Sequence, residues 1–278
     1  MNDDAGRGQD RLRQYVDTWW QAIGDFTALI DGLPESAAPM ATDLPGWDVA
    51  AIVAHVAHLE HLSVGGAHDE VPGIEIGAPA HVRSMMSVFT EQGVHARRDG
   101  SMADAVAAIR RDTARRREQL AAGVPDPAAP ADGVFGAIGW TWGTLLRNRP
   151  LDVWMHEQDV RRAVGLPGGM DTAPARHSAD YLTESFPVVV GKRVQPPSGT
   201  SAVLEVEGSE PVAVEVDANG RAQRLPEVPA EPDVRLSTDR ETFIVVAGGR
   251  RAPAEGEFRI EGDQALGQQI VEQLAVTP

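Results

Sequence analysis

The sequence predicts an all-helical bundle over residues 1–168 followed by a smaller α+β domain over residues 169–278. Three observations carry this division. Up to Val164, apolar residues recur at steps of three and four, the spacing of one buried helix face. The run Gly165-Leu166-Pro167-Gly168-Gly169 then interrupts the pattern with the composition of a boundary. Beyond it, AVLEVEG from Ala202 and PVAVEVD from Pro211 alternate apolar and polar residues with period two, as strands with one wet face do.

From Asp10 to Leu33 the positions Leu12, Tyr15, Val16, Trp19, Ile23, Phe26, Ile30 and Leu33 line one helix face, and Pro34 ends the helix. A second helix begins after the turn Leu44-Pro45-Gly46-Trp47, with Asp48 at its N-terminus. It runs through Ile52, Val56, Leu59 and Leu62 to Gly65-Gly66. A third spans residues 80–94 and a fourth 101–122, where Ser101 and Asp104 form a capping pair. A Pro/Ala-rich connection over 125–130 leads to a fifth helix over 143–164, carrying Leu145, Leu146, Leu151, Trp154, Met155 and Val160. Pro150 interrupts it, so the helix either starts there or is kinked. The second domain reads as a helix over 171–186 and strands over 202–206, 212–216, 234–236 and 243–247. A final helix over 263–274 covers the sheet.

The 278 residues include no cysteine, and 25 Lys and Arg stand against 41 Asp and Glu, a net charge of −16 at pH 7. Without a thiol there is no disulfide, no Cys-ligated metal and no cysteine nucleophile, so any thiol chemistry must use an external sulfur. The negative balance argues against a nucleic-acid partner, which needs a basic face. Arg110, Arg111, Arg115, Arg116 and Arg117 are spread around a helix and broken by Asp112 and Glu118, the pattern of a solvated surface. No apolar run approaches the roughly 18 residues of a membrane span. MNDDAGRGQD lacks the basic-then-apolar order of a signal peptide, so the expectation is a cytoplasmic protein without a membrane partner. No G-x-S-x-G elbow and no phosphate-binding glycine loop supports a serine hydrolase or a nucleotide enzyme.

The histidines are the natural ligand candidates. Asp152 and His156 stand four apart on the fifth helix and project from one face. On the second helix His55, His58 and His61 follow at steps of three, and one of them can meet Asp152 and His156 if the helices are neighbours. Two imidazoles and one carboxylate leave a divalent metal with open positions, as in catalytic zinc sites. The same spacing also suits a buried imidazole bonded to a carboxylate without any metal. His156-Glu157-Gln158-Asp159-Val160 opens like the zinc-protease H-E-x-x-H helix, but Val160 occupies the second histidine's place and that motif fails. Trp140, Trp142 and Trp154 either wall a pocket or fill the core.

Pro45-Gly46-Trp47-Asp48-Val49 followed by Ala54-His55-Val56-Ala57, and Arg149 with Asp152-x-Trp154-x-His156-Glu157-Gln158-Asp159, resemble the two signature segments of the mycothiol-dependent maleylpyruvate isomerase family. Gly248-Gly249-Arg250-Arg251 with Glu261-Gly262-Asp263 is similar to the end of that family's C-terminal domain. The resemblance implies a DinB-like four-helix bundle joined to a sterol-carrier-like α+β domain, as in these actinobacterial metalloproteins. It implies His55, Asp152 and His156 as metal ligands, with Asp152 where the family usually has glutamate; helix phase, apart from the resemblance, leaves His58 as the rival to His55. Zinc fits a His/His/carboxylate set best, with another divalent metal as the alternative. Asp159 is placed to accept the other N–H of His156, or else to serve as a structural cap or ion-pair partner. Arg250 and Arg251 are candidates for binding a substrate carboxylate, with a plain surface role as the alternative.

The activity so implied uses mycothiol as cosubstrate, held as thiolate on the metal, for isomerisation of a small electrophilic substrate or S-transfer to it. Two other readings of the same residues are a metal-dependent hydrolase and a non-catalytic module that binds a small ligand.

Overall fold

The helix-period residues near the N-terminus fall on one face of a long helix. In the computed structural model, which describes residues 2–277, α1 (Asn2–Asp31) buries Leu12, Trp19, Ile23, Phe26 and Ile30. After a short 3-10 turn at Glu35–Ala37, α2 (Val49–Ser63) starts at Asp48, whose carboxylate accepts the Ala51 N–H at 2.8 Å. α3 (Met85–His95) starts later than residue 80, because Ser84 and Ser87 close a reciprocal capping box there. Residues 66–84 instead form a loop. α4 (Met102–Ala121) is capped by Ser101 as expected, through the Asp104 N–H at 3.0 Å.

A one-turn helix, α5 (Gly133–Ala137), precedes α6 (Trp142–Val164), which Thr141 caps and Gly165 ends at φ +68°. α6 runs through Pro150 over the whole of the expected 143–164 span and does not start there. Pro150 is buried, and packing of α6 against α1 and α2 outweighs the one backbone hydrogen bond a proline removes. α1 and α2 each pack against both α4 and α6, so these four helices enclose one core. α2 is buried on nearly every side. The polar residues it carries, His55, His58 and Glu60, are therefore inside the bundle and need partners there.

The chain divides into two compact units, residues 1–169 and 170–278. In the second, α7 (Ala173–Thr183) is followed by α8 (Phe186–Val188), which runs into a π-helical segment at Val189–Val194. A mixed five-stranded sheet follows: β1 (Ser201–Val206), β2 (Val212–Val216), β3 (Ala222–Arg224), β4 (Val234–Thr238) and β5 (Arg259–Gly262), in the order β3-β2-β1-β4-β5. β1 is antiparallel to β2, with Leu204 opposite Val212, and parallel to β4, with Leu204 opposite Leu236. The alternating residues do form strands, but Val203 and Ala213 are buried along with Ala202, Leu204 and Val214. At those positions β1 and β2 are covered on both faces, while on the face expected to be wet Glu215 stays exposed and Glu205 half-buried.

One sequence expectation fails here. Residues 243–247, FIVVA, lie in α9 (Arg240–Ala247) and not in a strand. A short, wholly apolar run has no period to separate strand from helix. The deciding signal is Asp239, whose carboxylate accepts the Thr242 N–H at 2.9 Å and caps a helix start. α10 (Gln264–Glu272), capped by Asp263, packs on β4 and β5. Among the described residues no helix is long and apolar enough to cross a membrane.

Candidate metal centre

The Asp48 cap fixes the phase of α2 and turns His55 inward, while the four-residue step on α6 puts Asp152 and His156 on one face. Bundle packing then brings one ligand atom from each of His55, Asp152 and His156 within 4.8 Å of one another. Asp152 Oδ1 lies between the rings, 3.5 Å from His55 Nε2 and 3.8 Å from His156 Nε2. The rings meet edge to face with centroids 4.7 Å apart. Of the two α2 candidates the geometry selects His55. His58 instead places Nε2 3.2 Å from His68 Nδ1, a histidine that in turn reaches Gln92 Oε1 at 3.1 Å.

The donor set fits a small divalent cation better than it fits hydrogen bonds. Both separations at Asp152 Oδ1 exceed the 2.7–3.2 Å of a good N–H···O bond. They match the roughly 3.4 Å edge of a tetrahedron whose ligands sit about 2.1 Å from a zinc ion. His55 Nδ1 is also buried with no hydrogen-bond partner. A buried imidazole with neither nitrogen well bonded is costly unless something else takes the lone pair.

Electrostatics prepares each group. Burial pushes the His55 pKa below its ordinary value, a fall that nearby Asp152 only partly offsets, so the ring is neutral at neutral pH. For Asp152, burial acts upward but is outweighed by the Arg149 guanidinium, His55 and His156, which hold the carboxyl well below the usual carboxylate range. Asp159 Oδ2 stands 3.1 Å from His156 Nδ1, and its other oxygen accepts from Arg162 Nη2 at 2.6 Å. Because a carboxylate only accepts, Nδ1 is the donor in that bond, and Nε2 is the nitrogen turned toward Asp152.

Further residues surround the donor set. Arg149 bridges Asp152 Oδ2, at 2.8 Å, and the fully buried Glu60, at 2.7 Å. Trp47 lies against both imidazoles, with centroids 5.0 Å from His55 and 5.8 Å from His156, and its Nε1 donates to Glu91 Oε2 at 2.9 Å. The turn before Trp47 needs glycine at Gly46, which has φ +81° and where a Cβ would stand 2.3 Å from the His81 ring. Trp47 and Arg149 stand within the signature segments, but spacing gives them no role. Glu60 carries no sequence signal except that it is the one carboxylate on its helix.

The other candidates have partners of their own. Trp142 and Trp154 are core residues, and Trp154 Nε1 donates to Gly169 O at 3.2 Å. In the second unit Arg250 donates to Gly248 O at 2.6 Å and Arg251 to Glu257 Oε2 at 2.7 Å.

A four-helix bundle that gathers two imidazoles and a carboxylate, followed by a small mixed α/β unit, defines a class of helical-bundle proteins with a candidate metal site. The family model described as the mycothiol maleylpyruvate isomerase N-terminal domain matches residues 19–161, and the corresponding C-terminal domain model matches residues 176–269. The chain belongs to the mycothiol-dependent maleylpyruvate isomerase family. Among solved structures it is similar to the mycothiol-dependent maleylpyruvate isomerase, with a TM-score of 0.53 and 14% identity over 90% of this chain and 92% of that one. It is also similar to a mutant of that enzyme with one histidine replaced by alanine, with a TM-score of 0.52 and 15% identity over the same shares. No curated protein matches the chain.

Proposed function

We propose that this chain is a mycothiol-dependent enzyme of the cytoplasm, with zinc held by His55, Asp152 and His156, that catalyses isomerisation of a small electrophile or S-transfer to it. The single observation that carries this reading is the convergence of those three donors in a chain of this family. Zinc held there supplies a positive charge that lowers the pKa of an added thiol, so that thiolate is available at neutral pH.

The chain's own residues make that chemistry possible. His55, kept neutral by burial, offers a lone pair without first losing a proton. Asp152 is the one anionic member of the donor set, so with a divalent cation held there the set would keep a net positive charge that favours an anionic partner such as thiolate. Asp159 holds the His156 ring in the tautomer a ligand needs. Trp47 covers one side of both imidazoles and excludes water there. With no cysteine in the sequence, thiolate sulfur found at the site must come from the added thiol.

The test is turnover of maleylpyruvate and related conjugated electrophiles by zinc-loaded protein, with and without mycothiol. Activity that needs both metal and thiol is the expected result. Turnover abolished by a chelator but indifferent to mycothiol would overturn the thiol reading in favour of a hydrolase. Equally low zinc content in the wild type and His156→Ala would overturn the metal site and favour a non-catalytic binding module.

A further inference from the structure

We infer that Arg149 is a positioning residue that fixes Asp152 as a one-oxygen ligand and so tunes the site toward a small, four-coordinate cation. The inference rests on the metal reading above and assigns a role to a residue that lies outside the donor set. Asp152 offers two oxygens with different surroundings. Oδ1 faces both histidines, 3.5 Å from His55 Nε2 and 3.8 Å from His156 Nε2. Oδ2 accepts from Arg149 Nη1 at 2.8 Å, a charge-assisted bond that removes it from chelation.

Arg149 is itself held. Its Nη2 donates to Glu60 Oε1 at 2.7 Å, an oxygen that also accepts from Trp19 Nε1 at 3.1 Å. Glu60 Oε2 accepts from Thr113 Oγ1 at 2.9 Å. The orientation of one carboxylate on α6 is thus set by contacts from α1, α2 and α4. A short aspartate arm reaches the histidines only in a narrow range of rotamers, and the guanidinium fork selects within it. Lysine carries one ammonium in place of the planar fork and cannot hold Glu60 and Asp152 in the same way. With Oδ2 engaged, larger cations that use bidentate carboxylates and six or more oxygens are disfavoured.

The experiment compares the wild type, Arg149→Lys and the double variant Glu60→Gln/Arg149→Met, which removes both buried charges together. Each apo protein is melted by circular dichroism to establish folding. Zinc and manganese affinities are then measured by chelator competition, and the visible spectrum of the cobalt-loaded form reports coordination number. The expected result is zinc binding about 10–100-fold weaker in both variants, a weaker cobalt band and a smaller zinc-to-manganese affinity ratio. Folded variants with wild-type zinc affinity and an unchanged cobalt spectrum would overturn the role of Arg149 while leaving the metal reading intact. A wild type that binds neither zinc nor cobalt overturns both. If the double variant does not fold, the lysine variant alone decides.

Discussion

Asp159 is completely buried and accepts the Nδ1 proton of His156 across 3.1 Å. That bond fixes which nitrogen of His156 is free. Asp159→Asn keeps the shape and removes the charge, so zinc affinity measured by chelator competition is expected to fall about 10-fold or more. The apo melting temperature should move less than for Asp159→Ala, which also takes from Arg162 Nη2 its 2.6 Å acceptor and leaves that guanidinium only its bond to Asp43.

Gly93 and His58 form a second close pair. A Cβ at Gly93 would stand 2.1 Å from His58 Cδ2, and His58 is fully buried between α2 and its neighbours. Gly93→Ala is expected to destabilise the protein by about 1–3 kcal/mol through overpacking. In a double-mutant cycle with His58→Ala, urea unfolding should show that the two losses do not add, since removing the ring removes the clash.

His58 also gives the fold an acid sensitivity. Its burial, with Arg97 nearby, depresses the imidazole to about pKa 3, against 6.5 in the unfolded chain. Between those values the unfolded state takes up a proton that the folded state refuses. The contribution is therefore whole above pH 6.5 and declines as pH falls toward 3. Denaturation midpoints between pH 7 and 4 should fall less steeply in His58→Gln than in the wild type, with a difference approaching ~1.4 kcal/mol per pH unit. Equal slopes would show that His58 is not held neutral.

The cap on α9 is separable from its apolar run. Asp239→Ala should cost about 1 kcal/mol, because the Thr242 N–H loses its 2.9 Å acceptor. Asp239→Asn or Asp239→Ser should recover most of the loss in thermal unfolding. A strand at Phe243–Ala247 would show no such rank order.

The bundle was largely legible because its signals are local. Period-3.6 apolar residues, the Asp48 and Ser101 caps and the glycine stop at Gly165 each act within a few positions. What escaped depends on distant partners. The FIVVA run has no period, β3 has a single partly buried residue and β5 is mostly exposed, so neither strand carries an apolar pattern. At the site, the four-residue step from Asp152 to His156 is visible in one helix. The choice of His55 over His58 required the family motif, because it depends on how α2 is rotated against α6. The roles of Glu60 and Trp47 required the fold itself, since Glu60 meets Arg149 from 89 positions away and Trp47 meets Glu91 from 44.

The sheet's outer strands carry a consequence for behaviour at high concentration. β3 has three residues and β5 four, and their exposed positions include Gln223, Arg224, Arg259 and Glu261. Short, charged margins are poor templates for another copy's backbone. With the chain's net charge of −16 adding mutual repulsion, the inner strands β2, β1 and β4 are shielded from growth into fibrils, and the protein is expected to stay dispersed in low-salt solution.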